Sequence, residues 1–211
     1  MKKKLNVFLD LDQTLVSSEL LDKSQAEEGD KIYDIEENKD KSKKFNFHNM
    51  EGMYVIFERP YVQEFLTFLF ENFNVSVWTA ASQDYANFIL KNIVVRDMPE
   101  RELNYFLCSY HGQKSSVMYD GASKKLKMLW EIYNIPNYND KNTIILDDYD
   151  EVWNTQKHNC IIAKEFCYFK EGSENDTFLE NLEKLMKEYV LKENELNLSE
   201  IVKMINDSFG R

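Results

Sequence analysis

The chain has only three cysteines, Cys108, Cys160 and Cys167. An odd count, at spacings that fit no zinc-ligand pattern, argues against a disulfide framework or a zinc site. It points instead to reduced thiols in an intracellular protein, in the cytoplasm or nucleus. Long apolar runs are missing too, so no segment is expected to cross a bilayer. The basic start, Met-Lys-Lys-Lys, is not followed by a signal-peptide core, because Asp10 and Asp12 interrupt the apolar residues. His48, His111 and His158 have no cysteine or carboxylate at a spacing that would make a metal site, and they read as structural or exposed. Repeats and low-complexity segments are absent.

Positive charge is also in short supply. Lys and Arg number 26 against 37 Asp and Glu, giving a net charge of −11 and a pI near 4.9. An acidic body repels nucleic acid, which argues against generic phosphate-backbone binding. It repels phosphorylated substrates as well, so any phosphate-handling site must supply its own local cations. What is abundant is material for a core. Hydrophobic residues make up 43% and aromatics 14% of 211 residues, the profile of a folded globule of one generous domain, or one domain with an inserted lobe.

Residues 4–10 are a short run of strand formers ending in Asp10 and Asp12, which predicts a buried strand with carboxylates at its C-terminal end. Residues 22–51 are highly charged and read as a solvated excursion, a hairpin or mobile loop. The Lys41–Lys44 run within it is a solvated face or a guide for an acidic phosphopeptide. Pro60 stands at the first turn of a helix predicted over residues 61–72. Val75–Trp78 is a second strand, ending at Thr79, and Ser82 is the expected N-cap of the next helix. Residues 93–123 read as a small β-rich insert, with strands at Tyr105–Tyr110 and Ser116–Tyr119. Leu126–Tyr133 is helical, Thr143–Leu146 is a third strand ending at Asp147-Asp148, and Cys160–Ala163 is a fourth. The tail from Asp176 to Phe209 is two amphipathic helices broken around Asn194. Trp78, Trp130 and Trp153 read as packing residues.

Short apolar strands alternating with helices imply parallel βαβ units. Ligands in such sheets bind beyond the carboxyl ends of the strands. Asp10/Asp12, Thr79 and Asp147/Asp148 all sit at such ends. An Asp-x-Asp alone is an ordinary turn. Three strand ends carrying carboxylates and a hydroxyl are a chemical set. It suits cleavage of a phosphate monoester in two steps, with a carboxylate nucleophile, a nearby acid, and cations to neutralise the phosphoryl oxygens. Oxygen ligands of this kind suit Mg²⁺.

The motifs resemble the FCP/SCP family of the haloacid dehalogenase superfamily, phosphatases of the RNA polymerase II C-terminal domain and their relatives. Phe8-Leu9-Asp10-Leu11-Asp12-Gln13-Thr14-Leu15-Val16 is similar to its first motif. Arg59-Pro60 with Glu64-Phe65-Leu66 resembles its Arg-Pro-Gly segment, with Tyr61 where glycine is usual. Val77–Ser82 with Tyr85-Ala86 resembles the second motif, Ser123–Leu126 stands at the third, and Ile144–Asp148 with Glu151-Val152-Trp153 resembles the fourth. Asn159–Ile162 and Tyr168-Phe169 continue the match.

The resemblance implies a Rossmann-like α/β core over residues 1–190, with the β-rich insert (about 93–123) between motifs two and three. Residues 191–211 would be a helix that packs on the domain or extends it. It implies Asp10 as nucleophile and Asp12 as general acid/base. Mg²⁺ would be held by Asp10, the Asp12 carbonyl and Asp148, with Asp147 supporting. Thr79 and Lys124 would bind phosphate, Lys125 and Lys127 being alternatives to Lys124. The implied activity is a Mg²⁺-dependent protein serine/threonine phosphatase that passes through an aspartyl-phosphate on a phosphoserine or phosphothreonine peptide. A phosphatase of small metabolites and a non-catalytic phosphoprotein-binding module are the alternatives.

Overall fold

The computed structural model describes residues 4–22, 24, 32–191 and 196–211. Its frame is a parallel five-stranded sheet. β1 (Asn6–Leu9) lies at the centre, with β2 (Val16–Leu20) leaving the sheet immediately after it. A short turn of helix, α1 (Lys39–Ser42), leads into the hairpin β3 (Phe47–Met50) and β4 (Tyr54–Glu58). Then follow α2 (Val62–Asn72), β5 (Asn74–Trp78), α3 (Gln83–Ile89), which runs on as a π-helical turn over Leu90–Val94, and β6 (Phe106–Leu107). α4 (Ser109–Met118), α5 (Lys127–Glu131), β7 (Thr143–Asp147), α6 (Asp150–Thr155) and β8 (Cys160–Ile162) complete the core. The tail forms α7 (Phe178–Met186) and α8 (Leu198–Ser208). Strand order is β6-β5-β1-β7-β8 in the parallel sheet and β2-β4-β3 in a separate antiparallel one.

The alternation of side chains along β1 explains the two layers of core. Val7 and Leu9 face one side with Val75, Val77, Ile144 and Leu146, and are covered by α2, α3, α7 and α8. Phe8 faces the other side with Trp78 and Ile145, against Leu126, Met128 and Leu129 around α5 and Val152 of α6. Trp78 meets Phe8 edge-on at 6.2 Å, so it is a packing residue. α8 also closes the β8 edge. Asn206 accepts from the Ile162 amide (3.1 Å) and donates to the Cys160 carbonyl (2.9 Å), doing with one side chain what a neighbouring strand would do. Ser82 caps α3 as expected, accepting from the Tyr85 amide.

Two expectations need correcting. The β-rich insert at 93–123 is not there. Its strand signal at Tyr105–Tyr110 yields only the two-residue β6, and Ser116–Tyr119, expected as a strand, ends helix α4 and the turn after it. Beyond Leu107 the chain turns into α4 at Cys108, whose amide is taken by the His111 ring at 3.1 Å. α4 carries little apolar periodicity, so nothing in its pattern advertised a helix. The small sheet instead precedes α2: β2 and β4 flank the charged segment 22–51 and β3 lies at its end, where the hairpin reading holds and the solvated one does not. Its β3–β4 hairpin turns at Glu51-Gly52, both at positive φ, the conformation that tight hairpins favour. The charge of residues 22–51 concealed this, although Phe45 and Tyr33 pack with Phe57 and Tyr168 in an aromatic cluster beneath it. Residues 23, 25–31 and the break around Asn194 lie outside the described residues. The Lys41–Lys44 lysines have local partners: Lys41 the carbonyls of Phe169 and Lys170, Lys43 Asp40, and Lys44 Glu174.

Candidate active site

Register brings the polar strand ends together. Leu9 pairs with Val77 on one side and Leu146 on the other, so the residues that follow them meet at one rim. Asp10 and Asp147 project to the same face of the sheet as Phe8 and Ile145, and Lys124 reaches between them. Its ammonium lies 2.5 Å from Asp10 Oδ1 and 2.8 Å from Asp147 Oδ2, and all three side chains are buried. Burial works against the ammonium, but Asp10 and Asp147 outweigh it and hold the lysine pKa above its ordinary value. Asp147 is pushed up by burial and by Asp10, with Lys124 pulling back.

The three lysines near the third motif are thereby told apart. Lys125 turns away to the Thr155 carbonyl, and Lys127 forms an exposed ion pair with Glu131 at 2.9 Å. Only Lys124 enters the carboxylate cluster. Its loop is held from three sides. Gln156 donates to the Lys124 carbonyl (2.7 Å) and accepts from the Leu126 amide (2.9 Å), and Glu151 accepts from the Ser123 hydroxyl (2.7 Å). Ser115 of α4 accepts from the Lys125 amide at 3.0 Å. Gly112 lets α4 come this near, since a Cβ there would sit 3.2 Å from the Ser123 carbonyl oxygen.

Asp12 lies on the other flank and is only partly buried. Tyr85 OH donates to its Oδ1, and Ser18 Oγ lies 3.5 Å from the same oxygen. Its pKa is raised to about 6, chiefly by burial, with the Tyr85 hydrogen bond opposing. The Tyr85 hydroxyl is itself pushed up by burial and by Asp12, so it keeps its proton. Thr79 is buried at the end of β5, and its Oγ1 accepts from the Ala81 amide at 3.0 Å. The hydroxyl proton is thus left to donate.

Asp10, Asp147 and Asp148 offer carboxylate oxygens within 4.8 Å of one another. All-oxygen donors with this much negative charge fit a hard divalent cation such as Mg²⁺. Asp148 has a raised pKa, from burial first and then Asp10. Thr14 joins the cluster, its Oγ1 3.3 Å from Asp10 Oδ2 and 3.2 Å from Asp148 Oδ1. Sequence reasoning placed Thr14, Tyr85 and the loop clamp Glu151 inside motifs but assigned them no role, and it did not single out Gln156. A side chain that holds another leaves no pattern of its own in a single sequence. No described helix is long and apolar enough to cross a membrane.

Comparison with known proteins places the chain in a family. Residues 5–197 match the NLI interacting factor-like phosphatase family. The chain is 40% identical over 187 residues to the CTD phosphatase-like protein 355R of Invertebrate iridescent virus 6, covering 88% of this chain and 98% of that one. It is 38% identical over 195 residues to the 355R protein of Invertebrate iridescent virus 3, covering 89% and 97%. The solved structure of Fcp1, an RNA polymerase II CTD phosphatase, superposes with a TM-score of 0.53 at 17% identity. That match covers 97% of this chain and 62% of Fcp1, and it shows the shared haloacid dehalogenase fold. With the family match spanning most of its length, the chain belongs to the NLI interacting factor-like phosphatases, which are phosphoric monoester hydrolases.

Proposed function

We propose that the chain is a Mg²⁺-dependent protein serine/threonine phosphatase that works through a phosphorylated Asp10. The observation that carries this reading is the buried Asp10–Lys124–Asp147 arrangement, with Asp12 beside it on a separate, hydroxyl-lined flank. An Asp10 carboxylate oxygen attacks phosphorus and the ester P–O bond breaks. The departing serine or threonine oxygen takes its proton from Asp12. Asp12, now ionised, then accepts a proton from water as that water attacks the acyl phosphate, releasing inorganic phosphate and restoring both carboxylates. Lys124 and the Thr79 hydroxyl neutralise and orient the phosphoryl oxygens, and Lys124 provides the local cation that a −11 chain requires. Asp10, Asp148 and the Asp12 carbonyl would hold Mg²⁺, with Asp147 keeping Lys124 in place; the ion would supply further neutralisation of phosphoryl charge.

A peptide substrate is favoured by the open surroundings of the nucleophile. Gln13, Ala80 and Tyr149 are exposed next to it. The 355R relatives are described as CTD phosphatase-like, and a repetitive phosphoserine tail is the corresponding substrate class. The test is phosphate release from a phosphoserine peptide array with and without Mg²⁺, run beside a panel of small phosphorylated metabolites. Wild type should prefer the peptides, and Asp10→Asn should give no turnover and no acid-stable phosphoenzyme. An unchanged rate in Asp10→Asn would refute the mechanism. A preference for the metabolites would refute the substrate class.

A further inference from the structure

Arg59 is a charged residue with no exposure and no contact with the carboxylate cluster. Its guanidinium lies over the rings of Phe166 (5.5 Å) and Phe178 (4.6 Å). Burying such an ion carries a desolvation cost that its partners must repay, and apolar residues would fill the same space at less cost. What apolar residues would lack is direction. Arg59 Nε and Nη2 donate to the two oxygens of Asp176, at 2.9 and 3.0 Å, in a bidentate fork. Nη1 donates to the Thr14 carbonyl at 2.9 Å, and the Arg59 amide donates to the Leu15 carbonyl at 3.0 Å. Two successive carbonyls of the loop after Asp10 are therefore pinned by one residue.

Asp176 belongs to the tail. It accepts from the Phe178 amide at 3.1 Å and so marks the start of α7. Thr14, at the other end of the chain of contacts, has its hydroxyl between Asp10 and Asp148. We infer that Asp176 and Arg59 are positioning residues for the nucleophile: the start of the tail helix orients Arg59, Arg59 fixes the Thr14 backbone, and Thr14 sets Asp10 relative to Asp148. The inference rests on Asp10 being the nucleophile. It assigns the tail a part in catalysis, although the tail touches no reacting atom.

Asp176→Asn keeps the shape and removes the charge. The expected result is a folded protein whose kcat falls by roughly 10- to 100-fold, the order expected for an ångström-scale misplacement, with KM for a phosphoserine peptide nearly unchanged. The Asp10–Val16 amide signals of ¹⁵N-labelled protein should move, in the absence of any substrate or metal. In a Thr14→Ala background, where the relay is already cut, Asp176→Asn should cost nothing further in kcat. Arg59→Lys keeps the charge and cannot span both partners, so it should reproduce the kcat loss if Asp176→Asn does not fold. Unmoved Asp10–Val16 signals, or losses that add fully to that of Thr14→Ala, would overturn the relay and leave Asp176 a stability residue. A wild type that hydrolyses no phosphomonoester would instead overturn the catalytic reading, and the amide shifts would still decide whether the relay exists.

Discussion

Asp10 and Asp12 are two residues apart, and the fold treats them in opposite ways. Asp10 continues the central strand, is buried, and is matched to a lysine at 2.5 Å. Asp12 has left the strand, is partly buried, and has neutral hydroxyls as its nearest partners. The first carboxylate has a fixed counter-charge beside it. One desolvated among hydroxyls can carry a proton near neutrality. The difference arises where the chain leaves β1: Asp10 stays on the face of β7 and the Lys124 loop, Asp12 two residues on meets Tyr85 of α3, and the turn follows at Gln13, which takes a positive φ. Two residues of one type thus acquire two environments from the neighbours to which the backbone delivers them.

The strongest test of this contrast removes the cation. Lys124→Met leaves Asp10 and Asp147 facing each other without a counter-charge. Breaking a buried pair in this way should cost about 3–5 kcal/mol, and losing the phosphoryl cation should lower kcat by roughly 10²–10³. The sign with pH follows from the pKa shifts. Without the lysine, Asp147, already pushed up by burial and by Asp10, loses the neighbour that pulls it back, so its folded-state pKa rises further. The stability deficit should then be small near pH 5, where Asp147 is protonated, and should grow as pH rises toward 8. Urea unfolding at both pH values measures it. A deficit independent of pH would mean that the lost methylene packing, not the charge, accounts for the damage.

On the Asp12 side the probe is the hydroxyl. Asp12 titrates at about 6, raised by burial and lowered by Tyr85. Tyr85→Phe removes the lowering influence, so the pKa should climb. In the proposed mechanism, phosphoryl transfer to Asp10 needs Asp12 protonated, so its rate should fall as pH rises through that pKa. Under single turnover with a phosphoserine peptide, the alkaline fall should shift to higher pH in Tyr85→Phe, with the plateau rate changed by less than about tenfold. A fall at unchanged pH would show that Tyr85 does not tune this proton. No comparable shift is expected on the Asp10 side, which Tyr85 does not touch.

The legibility of these two flanks in the sequence differs for a physical reason. The strand ends Asp10, Thr79 and Asp147/Asp148 were readable because buried parallel strands are short apolar runs and stop abruptly. Lys124 was readable only to within three lysines, since what separates it from Lys125 and Lys127 is which loop backbone Gln156 and Glu151 grip, a long-range matter. The parallel sheet was legible, whereas the antiparallel one was hidden by charge. No strict alternation marks its strands: β2 begins and β4 ends in consecutive buried residues, β3 buries only Met50, and β3 follows a lysine-rich stretch. Helix α4 failed in the converse way, with β-forming residues placed on a helix that the Lys124 loop and Gly112 hold against the core.

The smallest effect concerns the turn itself. Gln13 is exposed, at φ 59, and its backbone is bonded on both sides, its amide to the Val16 carbonyl (2.7 Å) and its carbonyl to the Phe166 amide (2.6 Å). Those bonds hold the left-handed conformation in place whatever the side chain, so glycine should adopt it without the Cβ strain. Left-handed backbone costs a non-glycine residue about 1 kcal/mol or slightly more, and the extra entropy glycine loses on folding takes back part of the gain. Gln13→Gly should therefore stabilise the protein by roughly 0.5–1 kcal/mol, a rise of a few degrees in Tm at this chain length. Because Asp10 and Asp12 are directed by the bonded backbone, kcat and its pH profile should stay as in wild type. If glycine instead lowers kcat while raising Tm, the left-handed backbone at Gln13 helps to hold the adjacent Asp12 in place, and the contrast between the carboxylates depends on that turn as well as on their neighbours.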